Sequence, residues 1–335
     1  KMNNKIRVNY FQRKPRKGFN FSLERIFEDL RFRLKNKVDY QVYISPYYND
    51  GYLTKFKNIL KSKSLYDSKA INHITGETHF LNLLMGKNNL LTILDCGMVR
   101  RKKGLPRIFI IWLYLKLPVK RAKYVTAISE ETKKDILKYV NCKEDKIKVI
   151  PVAVSESFIP FKKEFNSEKP VILHIGTGYN KNLIRLIKSL KNIPCHLIII
   201  GKLNDDQVNE LLDNKIDYAN RYNISDEEMI ENYRKCDILS FVSTFEGFGM
   251  PIIEANCVER VVVTSKISSM PEGAGGSAHL VDPFDIADIE NGFKKVISDA
   301  NYRHELINKG KLNRQKYLPE AVASQYFHLY KNFFK

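Results

Sequence analysis

The sequence lacks the long apolar segments that place a protein in a membrane. The longest nearly apolar run, from Ile108 to Leu117, is interrupted by Lys116, whereas a transmembrane helix needs about 20 apolar residues. The stretch KMNNKIRVNYFQRK at the N-terminus has no apolar core of the kind found in signal peptides. These two absences predict a cytoplasmic protein without a membrane span.

Cysteine is scarce and dispersed. The five cysteines stand alone at positions 96, 142, 195, 236 and 257, with no CxxC pair and no Cys/His cluster of zinc-binding spacing. This pattern predicts reduced thiols in a reducing compartment, and it excludes a disulfide-stapled or zinc-ribbon protein.

Positive charge is concentrated in one half of the chain. The 335 residues carry a net charge of +19, with 33 basic and 14 acidic side chains in residues 1–160 and 23 of each in residues 161–335. The length favours two domains, and the asymmetry predicts that the first has an anionic partner. Nucleic acid, phospholipid headgroups and a phosphorylated substrate remain open as that partner, as does a Lys-rich surface without a function.

Short apolar runs alternate with amphipathic stretches, which predicts an α/β fold. The segment 155–170 has two prolines and no periodicity, and we interpret it as an interdomain linker. The predicted domains are 1–154 and 165–317, and the terminal helix, about 318–335, is a candidate to pack back on the first. Strands are expected at 6–11, 41–46, 72–75, 90–94, 124–129, 146–152, 170–176, 195–201, 237–243, 260–265 and 278–282, with helices between most of them. Two parallel sheets joined in this way leave a cleft at the carboxyl ends of their strands, where such sheets bind ligands.

The most informative motif is FEGFGMPIIE, at residues 245–254. Gly247 and Gly249 permit unusual backbone dihedral angles, and Pro251 suits the first position of a helix. A helix N-terminus binds anions, so the motif predicts a diphosphate site, with Glu246 and Glu254 placed to accept hydrogen bonds from sugar hydroxyls. The alternative is an ordinary strand–turn–helix with two turn glycines.

In these residues and the segments around them, the sequence resembles the family-4 retaining glycosyltransferases, also called glycosyl transferases group 1. The hallmark of that family is two glutamates eight positions apart around GFGxP, and these stand here as Glu246 and Glu254. Residues 224–255, 261–285, 174–190, 127–137 and 146–158 also look like family segments. The resemblance implies a GT-B fold, in which two Rossmann-like domains face each other across a cleft.

The resemblance also implies roles for individual residues. Glu254 would bind the ribose hydroxyls of a nucleotide sugar, Glu246 would face the transferred sugar, and Lys181 would stabilise the leaving diphosphate. Glu246, Lys181, Asp95 and His79 are the catalytic candidates. The candidates for donor binding are Glu254, Gly247, Phe248, Gly249, Met250, Lys181, Gly176, Thr177, Lys202, Tyr222 and Asn223.

The sequence departs from the family pattern in three places. Thr177 and Gly178 occupy a loop in which many members carry an arginine, so Lys181 acts alone or with help from Lys202. Leu94-Asp95 replaces a His-Asp pair, which leaves His73 and His79 as candidates for the missing imidazole. The N-terminal Gly-Gly loop is absent, and RKPRKGFNFS at 13–22 offers Arg16, Lys17 and Gly18 for contact with a phosphate.

The resemblance implies a nucleotide-sugar substrate, no cofactor and no metal, and the sequence has no Asp-x-Asp motif. We expect a saccharide or lipid-linked acceptor in the basic half, in bacterial surface polysaccharide biosynthesis. Cations at Arg100–Lys103, Arg107, Lys120 and Arg121 flank the run IFIIWLYLKL, which favours peripheral contact with an anionic membrane on its cytoplasmic side. For the run itself, the preferred interpretation is a buried helix.

Three other functions fit parts of the sequence. A nucleotide-sugar epimerase of the same fold would share the donor site, but the spacing of the two glutamates argues against it. A nucleic-acid-binding protein would explain the basic half, although no known motif supports it and we expect no nucleic-acid partner. A catalytically silent homologue would explain Leu94, but Lys181, Glu246 and Glu254 are all present.

Overall fold

A computed structural model describes residues 5–15, 22–100 and 103–335. The chain divides into two compact units, which are described separately. The first unit comprises Lys1–Ala153 together with Pro319–Lys335, and the second comprises Val154–Leu318. The second unit therefore includes residues 155–164, which the sequence had suggested were part of an interdomain linker.

The first unit contains a parallel sheet covered by helices on both faces. Its strands are β1 (Ile6–Gln12), β2 (Val38–Ile44), β3 (Ile71–Ile74), β4 (Asn89–Ile93), β5 (Tyr124–Ala127) and β6 (Ile147–Val149). Its helices are α1 (Ser22–Leu34), α2 (Tyr52–Ser64), α3 (Gly97–Arg100), α4 (Gly104–Ile110), α5 (Leu117–Arg121), α6 (Glu130–Tyr139) and α14 (Pro319–Lys331). A π-helical stretch, Ile111–Lys116, joins α4 to α5, and 3-10 turns lie at His79–Leu84 and Glu144–Lys146.

The six strands of the first unit are parallel and lie in the order β2-β1-β3-β4-β5-β6. The direction of winding reverses between β1 and β3. Strands β3 and β4 are buried along their whole length, as expected for central parallel strands covered on both faces.

The C-terminal helix α14 belongs to the core of the first unit. Its side chains Tyr326 and Tyr330, and Phe333 just after its end, are buried with Tyr10 of β1 and Phe27 of α1. The sequence had left the packing of this helix as a possibility, and the structure places it beside α1.

The second unit repeats the α/β plan. Its strands are β7 (Val171–Ile175), β8 (His196–Ile200), β9 (Tyr218–Arg221), β10 (Ile238–Phe241), β11 (Val261–Ser265) and β12 (Ala278–Val281). Its helices are α7 (Leu183–Leu190), α8 (Asp205–Asp213), α9 (Asp226–Lys235), α10 (Met250–Val258), α11 (Met270–Ala274), α12 (Ile286–Ser298) and α13 (Ala300–Asn313), with 3-10 turns at Tyr179–Lys181 and Arg314–Tyr317.

The strands of the second unit are all parallel, in the order β12-β11-β10-β7-β8-β9. This is the Rossmann order, and the direction of winding reverses between β7 and β10. The predicted fold class, α/β with two Rossmann-like units, is therefore confirmed.

Two parts of the chain differ from the sequence predictions. Helices α2 and α8 and strand β9 were not predicted, because their segments are rich in Lys, Asn or Asp and have a weak apolar period. The run around Ile108–Leu117 is helical, but its preferred interpretation as a buried helix holds for one face only. Leu115 is buried with Ile111 and Leu113 packed beside it, whereas Ile108, Phe109 and Trp112 are at least half exposed. Among the residues that the structure describes, no helix is long and apolar enough to span a bilayer.

Candidate functional site

The polar residues of the second unit concentrate where its strand order reverses. Strand β7 is followed by the loop 176–182, and its neighbour β10 is followed by the loop 242–249 and helix α10. Because parallel strands end at the same edge of the sheet, these two loops lie side by side. Such a switch point is where open α/β sheets bind their ligands.

An ion pair connects the two loops. Lys181 Nζ donates to Glu246 Oε1 at 2.6 Å, and both side chains are largely buried. The ammonium also lies 4.8 Å from the ring centroid of Phe241, the last residue of β10, in the range of a cation–π contact. The sequence motif around Lys181 and the motif around Glu246 therefore form one site.

Gly176 makes room for the lysine. Its φ is +94°, which L side chains rarely adopt, and a Cβ there would lie 2.9 Å from Cγ and Cε of Lys181. The backbone at the end of β7 and the alkyl chain of Lys181 are therefore in close contact, so only glycine fits at position 176 without displacing the lysine.

Asn180 orients Glu246, and no role was predicted for this residue. Its side-chain nitrogen donates to Oε1 of Glu246 at 3.1 Å and to the carbonyl of Phe245 at 3.0 Å. Its own carbonyl accepts a hydrogen bond from the backbone N–H of Thr244 at 2.8 Å. The two loops are thus joined by both main chain and side chain, which fixes Oε1 of the carboxylate.

The loop after β11 holds the backbone of the same glutamate. The hydroxyls of Ser268 and Ser269 each donate to the carbonyl of Glu246 at 2.9 Å. These serines were also missed as individual residues, although they lie in a segment that carries the family resemblance. Three loops of the sheet edge therefore converge on Glu246.

Helix α10 begins beside this carboxylate. Gly249 caps the helix with a φ of +103° and has no side chain to bond its first N–H groups. Met250 is the first helical residue and Pro251 the second, so the helix begins one residue before the predicted start at Pro251. The side chain of Phe248 is buried against Tyr317, with ring centroids 5.3 Å apart, so only its backbone can face a ligand.

Glu254 lies in the second turn of α10, and its carboxylate is coupled to a buried tyrosine. The hydroxyl of Tyr233 donates to Glu254 Oε2 at 2.5 Å. Burial raises the pKa of Glu254 to about 7, while the hydrogen bond from Tyr233 and the charge of Lys181 act in the lowering direction. A neutral and an ionised carboxyl are therefore both accessible near physiological pH.

The other donor-binding candidates lie along the same edge of the sheet. The hydroxyl of Thr177 donates to the carbonyl of Lys202 at 2.7 Å, which ties the loop after β7 to the loop after β8. Gln207 of α8 donates to the carbonyl of Thr177 at 2.8 Å. Tyr222 and Asn223 follow β9, where Tyr222 is 57% exposed and Asn223 has a φ of +54°.

The catalytic candidates of the first unit have different surroundings. Asp95 is exposed, and its Oδ1 accepts the backbone N–H of Gly97 at 2.7 Å. His79 is buried, its Nδ1 lies 2.8 Å from the carbonyl oxygen of Tyr114, and burial lowers its pKa to about 4. A neutral ring bonded to the backbone gives His79 a clear structural role.

His73, the other histidine considered, is a core residue. It is fully buried, with Nδ1 2.8 Å from the hydroxyl of Tyr330 and Nε2 2.7 Å from the hydroxyl of Thr92. Burial lowers its pKa to about 3. The proposal that His73 replaces the family histidine is therefore not supported. Arg16, Lys17 and Gly18 lie outside the described residues, as do Arg101 and Lys102.

Comparison with known proteins relates the second unit to the same family that its sequence motifs resemble. Residues 155–313 match the family model described as "Glycosyl transferases group 1". The serotype-specific mannosyltransferase WbdA of Escherichia coli is 25% identical over 214 residues, which are 56% of this chain and 26% of WbdA. The O-antigen chain mannosyltransferase RfbU of Salmonella typhimurium is 30% identical over 192 residues, 54% of this chain and 53% of RfbU. The chain thus spans about a quarter of the length of WbdA.

A solved structure extends the likeness to both units. HepE from Anabaena, in complex with UDP and glucose, has a TM-score of 0.77 to this chain at 13% identity, and the match covers 97% of this chain and 99% of HepE. At this identity the likeness concerns the fold alone. Residues 155–313 are therefore similar to the glycosyl transferases group 1, and the chain as a whole has the GT-B fold.

Proposed function

We propose that the protein is a glycosyltransferase that moves a sugar from a UDP- or GDP-sugar to a saccharide or lipid-linked acceptor. The observation that carries the proposal is the Lys181–Glu246 pair beside the N-terminus of α10, with Glu254 in the next turn. A cation, a helix N-terminus and two carboxyl groups provide what a nucleotide sugar requires. The names of the relatives favour a role in surface polysaccharide biosynthesis.

Lys181 would act on the leaving group. Transfer breaks the bond between the anomeric carbon and the β-phosphate oxygen, and the bonding electron pair goes to that oxygen. A cation already in place stabilises the negative charge that develops, and such contacts are worth about 3–4 kcal/mol in the transition state. In the structure, the ammonium is held by Glu246, so a diphosphate would share or replace that carboxylate as its partner.

Glu246 would bind the transferred sugar. Its Oε1 is occupied by Asn180 and Lys181, and its backbone by two serine hydroxyls, so the carboxylate is held in one orientation. An acceptor hydroxyl that attacks from the face of the departing phosphate would give its proton to that phosphate. The product would then keep the anomeric configuration of the donor, and we name no protein nucleophile.

We further propose that the reaction needs no metal ion. Lys181 and the N-terminus of α10 would supply the positive charge that Mg²⁺ or Mn²⁺ supplies in other transferases. The measurement is transfer activity with excess EDTA and after adding back divalent ions. Full activity in EDTA is expected, and activity that returns only with an added ion would overturn this part of the proposal.

The acceptor would bind the basic first half of the chain, on the cytoplasmic side of the cell membrane. The net charge of +19 in residues 1–160 supports contact with an anionic surface. We propose peripheral membrane association on this basis, and no nucleic-acid partner. A salt-dependent gel shift with DNA or RNA at physiological ionic strength would contradict the second statement.

Thermal-shift screening of UDP, GDP and their sugar nucleotides tests the donor site directly. We expect one base to stabilise the protein, Glu254→Ala to abolish that stabilisation, and Glu246→Ala to retain it while losing turnover. An isomerised donor formed without acceptor would favour an epimerase instead. If neither substitution had any effect, the assignment of the site would be wrong.

A further inference from the structure

Helix α2 of the first unit turns large apolar side chains toward solvent. Tyr52 and Leu53 are 73% and 77% exposed, and Phe56 and Leu60 are 54% and 45% exposed. These residues recur at intervals of three to four and lie on one face, opposite the buried Asn58, Ile59 and Ser62. The helix is thus amphipathic, with an apolar side that the protein leaves uncovered.

A second helical stretch has the same property. In α4 and the following π-helical turns, Leu105, Ile108, Phe109 and Trp112 are 82%, 61%, 50% and 56% exposed. Their spacing of three, one and three residues forms a single stripe along the helix. The run that the sequence had assigned to the interior therefore presents one apolar face to the core and a second one to solvent.

The two faces meet. The rings of Tyr52 and Phe109 are in edge-to-face contact, with centroids 5.9 Å apart. We call the combined patch the apolar surface; it consists of Tyr52, Leu53, Phe56, Leu60, Leu105, Ile108, Phe109 and Trp112. Contiguous exposed apolar patches of this kind mark interaction sites, whereas single exposed residues do not.

In the two segments that form the apolar surface, every charged side chain is basic. Residues 52–64 and 103–121 contain no Asp or Glu and nine basic residues, at positions 55, 57, 61, 63, 103, 107, 116, 120 and 121. Lys116 lies about one turn after Trp112 and lines a surface hollow of about 430 Å³. Lys120 and Lys138 also line this hollow, together with Leu137, Tyr139 and Asn141.

We propose that the apolar surface docks the first unit on an anionic lipid bilayer, with Trp112 and Phe109 at the depth of the headgroups and Lys116 and Lys120 on lipid phosphates. Aromatic rings favour the membrane interface, and long basic side chains reach the headgroups while their alkyl chains cover apolar surface. The inference rests on the membrane association in the proposed function, and it names the residues that carry it.

Other occupants fit less well. A second copy of this chain would bring nine basic residues against nine of the same sign, which electrostatics opposes. Nucleic acid would satisfy the lysines but leave the exposed leucine and isoleucine side chains against a polar backbone. A bilayer with anionic headgroups meets both the apolar and the basic parts of the surface.

Trp112 is the only tryptophan in the chain, so it reports on this surface without a label. The experiment mixes the full chain with vesicles of phosphatidylcholine containing 30% phosphatidylglycerol. We expect a blue shift of the tryptophan emission that is reduced by high salt and small with phosphatidylcholine alone. An emission spectrum that vesicles leave unchanged would overturn the proposal.

Two variants connect the binding to the surface. Leu53→Glu combined with Ile108→Glu places charge on both helices and should weaken vesicle binding at least tenfold, as measured by co-sedimentation. Leu312→Glu, at a 75% exposed leucine of the second unit, is the matched control and should bind vesicles like the unaltered chain. Equal binding by all three proteins, or a dimer that the double substitution dissociates without any vesicle binding, would contradict the proposal.

The failure of this inference can be separated from failure of the proposed function. The nucleotide-induced thermal shift reports on the second unit and should be the same in the double variant and the unaltered chain. A normal thermal shift without vesicle binding would reject the docking surface alone. Vesicle binding without any response to nucleotides would reject the donor site alone.

Discussion

The two units have the same architecture but differ in where their charged groups lie. In the second unit, acidic and basic side chains balance, and the important ones converge at the point where the strand order reverses. In the first unit, the excess positive charge lies on the surface, while His73 and His79 are buried and neutral. In the function proposed above, the second unit would provide the chemistry and the first a surface for a partner.

The largest expected effect tests the chemical half of this comparison. Lys181→Met keeps the alkyl chain over Gly176 but removes the charge, so transfer should fall about 100- to 1000-fold. Lys202→Met, at an exposed lysine on the same edge of the sheet, is the control and should lose much less. Initial rates with saturating donor give both numbers. Equal losses in the two variants would show that positive charge in general, and not the position of Lys181, supports the reaction.

The next effect tests whether His73 is structural, as its surroundings indicate. His73→Ala removes a ring that is bonded to Tyr330 and Thr92, and it leaves a cavity against α14. The free energy of unfolding should fall by about 3 kcal/mol. The nucleotide-induced thermal shift should persist wherever the variant is folded. A stable but inactive variant would instead place His73 in the reaction.

A smaller effect is expected at Asn180, which acts on the reaction through Glu246. Asn180→Ala removes one hydrogen bond to the carboxylate and one to the carbonyl of Phe245. We expect kcat to fall about tenfold, in line with about 1.5 kcal/mol, the lower end of the range for a hydrogen bond to a charged group, with little change in the affinity for nucleotide. Asn180→Asp places a second carboxylate beside Glu246 and should be worse than alanine. If aspartate were as active as asparagine, Asn180 would have no orienting role.

These residues also show which parts of the site can be predicted from the sequence. Glu246 and Glu254 were predicted because a glycine-rich turn before a helix has a recognisable pattern and a physical use, and Lys181 was predicted from the family resemblance. Asn180, Ser268 and Ser269 were not found, because their importance lies in contacts with Glu246 that are distant along the chain. The core position of His73 was missed for the same reason, since burial and hydrogen-bond partners cannot be read from a lone histidine.

The fold was predictable to a similar degree. Central strands such as β8 and β11 are unbroken apolar runs, so their positions follow from the sequence. Helix α2 escaped prediction because its apolar residues face outward and its buried face contains asparagine and serine. The apolar period of such a helix does not tell which of its faces is buried, and in α2 the apolar face is the exposed one.

A pH-dependent effect is expected at Glu254, and it separates the second unit's site from an ordinary surface carboxylate. Its pKa is raised from the ordinary value of 4.5 to about 7 by burial. Between these two values, the folded protein keeps a proton that the unfolded chain has lost, so this residue makes the folded state less stable as the pH rises through that window. Glu254→Gln cannot ionise, and its stability relative to the unaltered protein should therefore increase by about 2–3 kcal/mol from pH 5 to pH 8. Chemical denaturation at pH 5, 6, 7 and 8 measures the difference, with Glu231→Gln, a half-exposed glutamate on the helix that carries Tyr233, as the control. A difference that stays constant or decreases with pH would mean that the carboxyl of Glu254 is ionised throughout, and that burial does not set its charge.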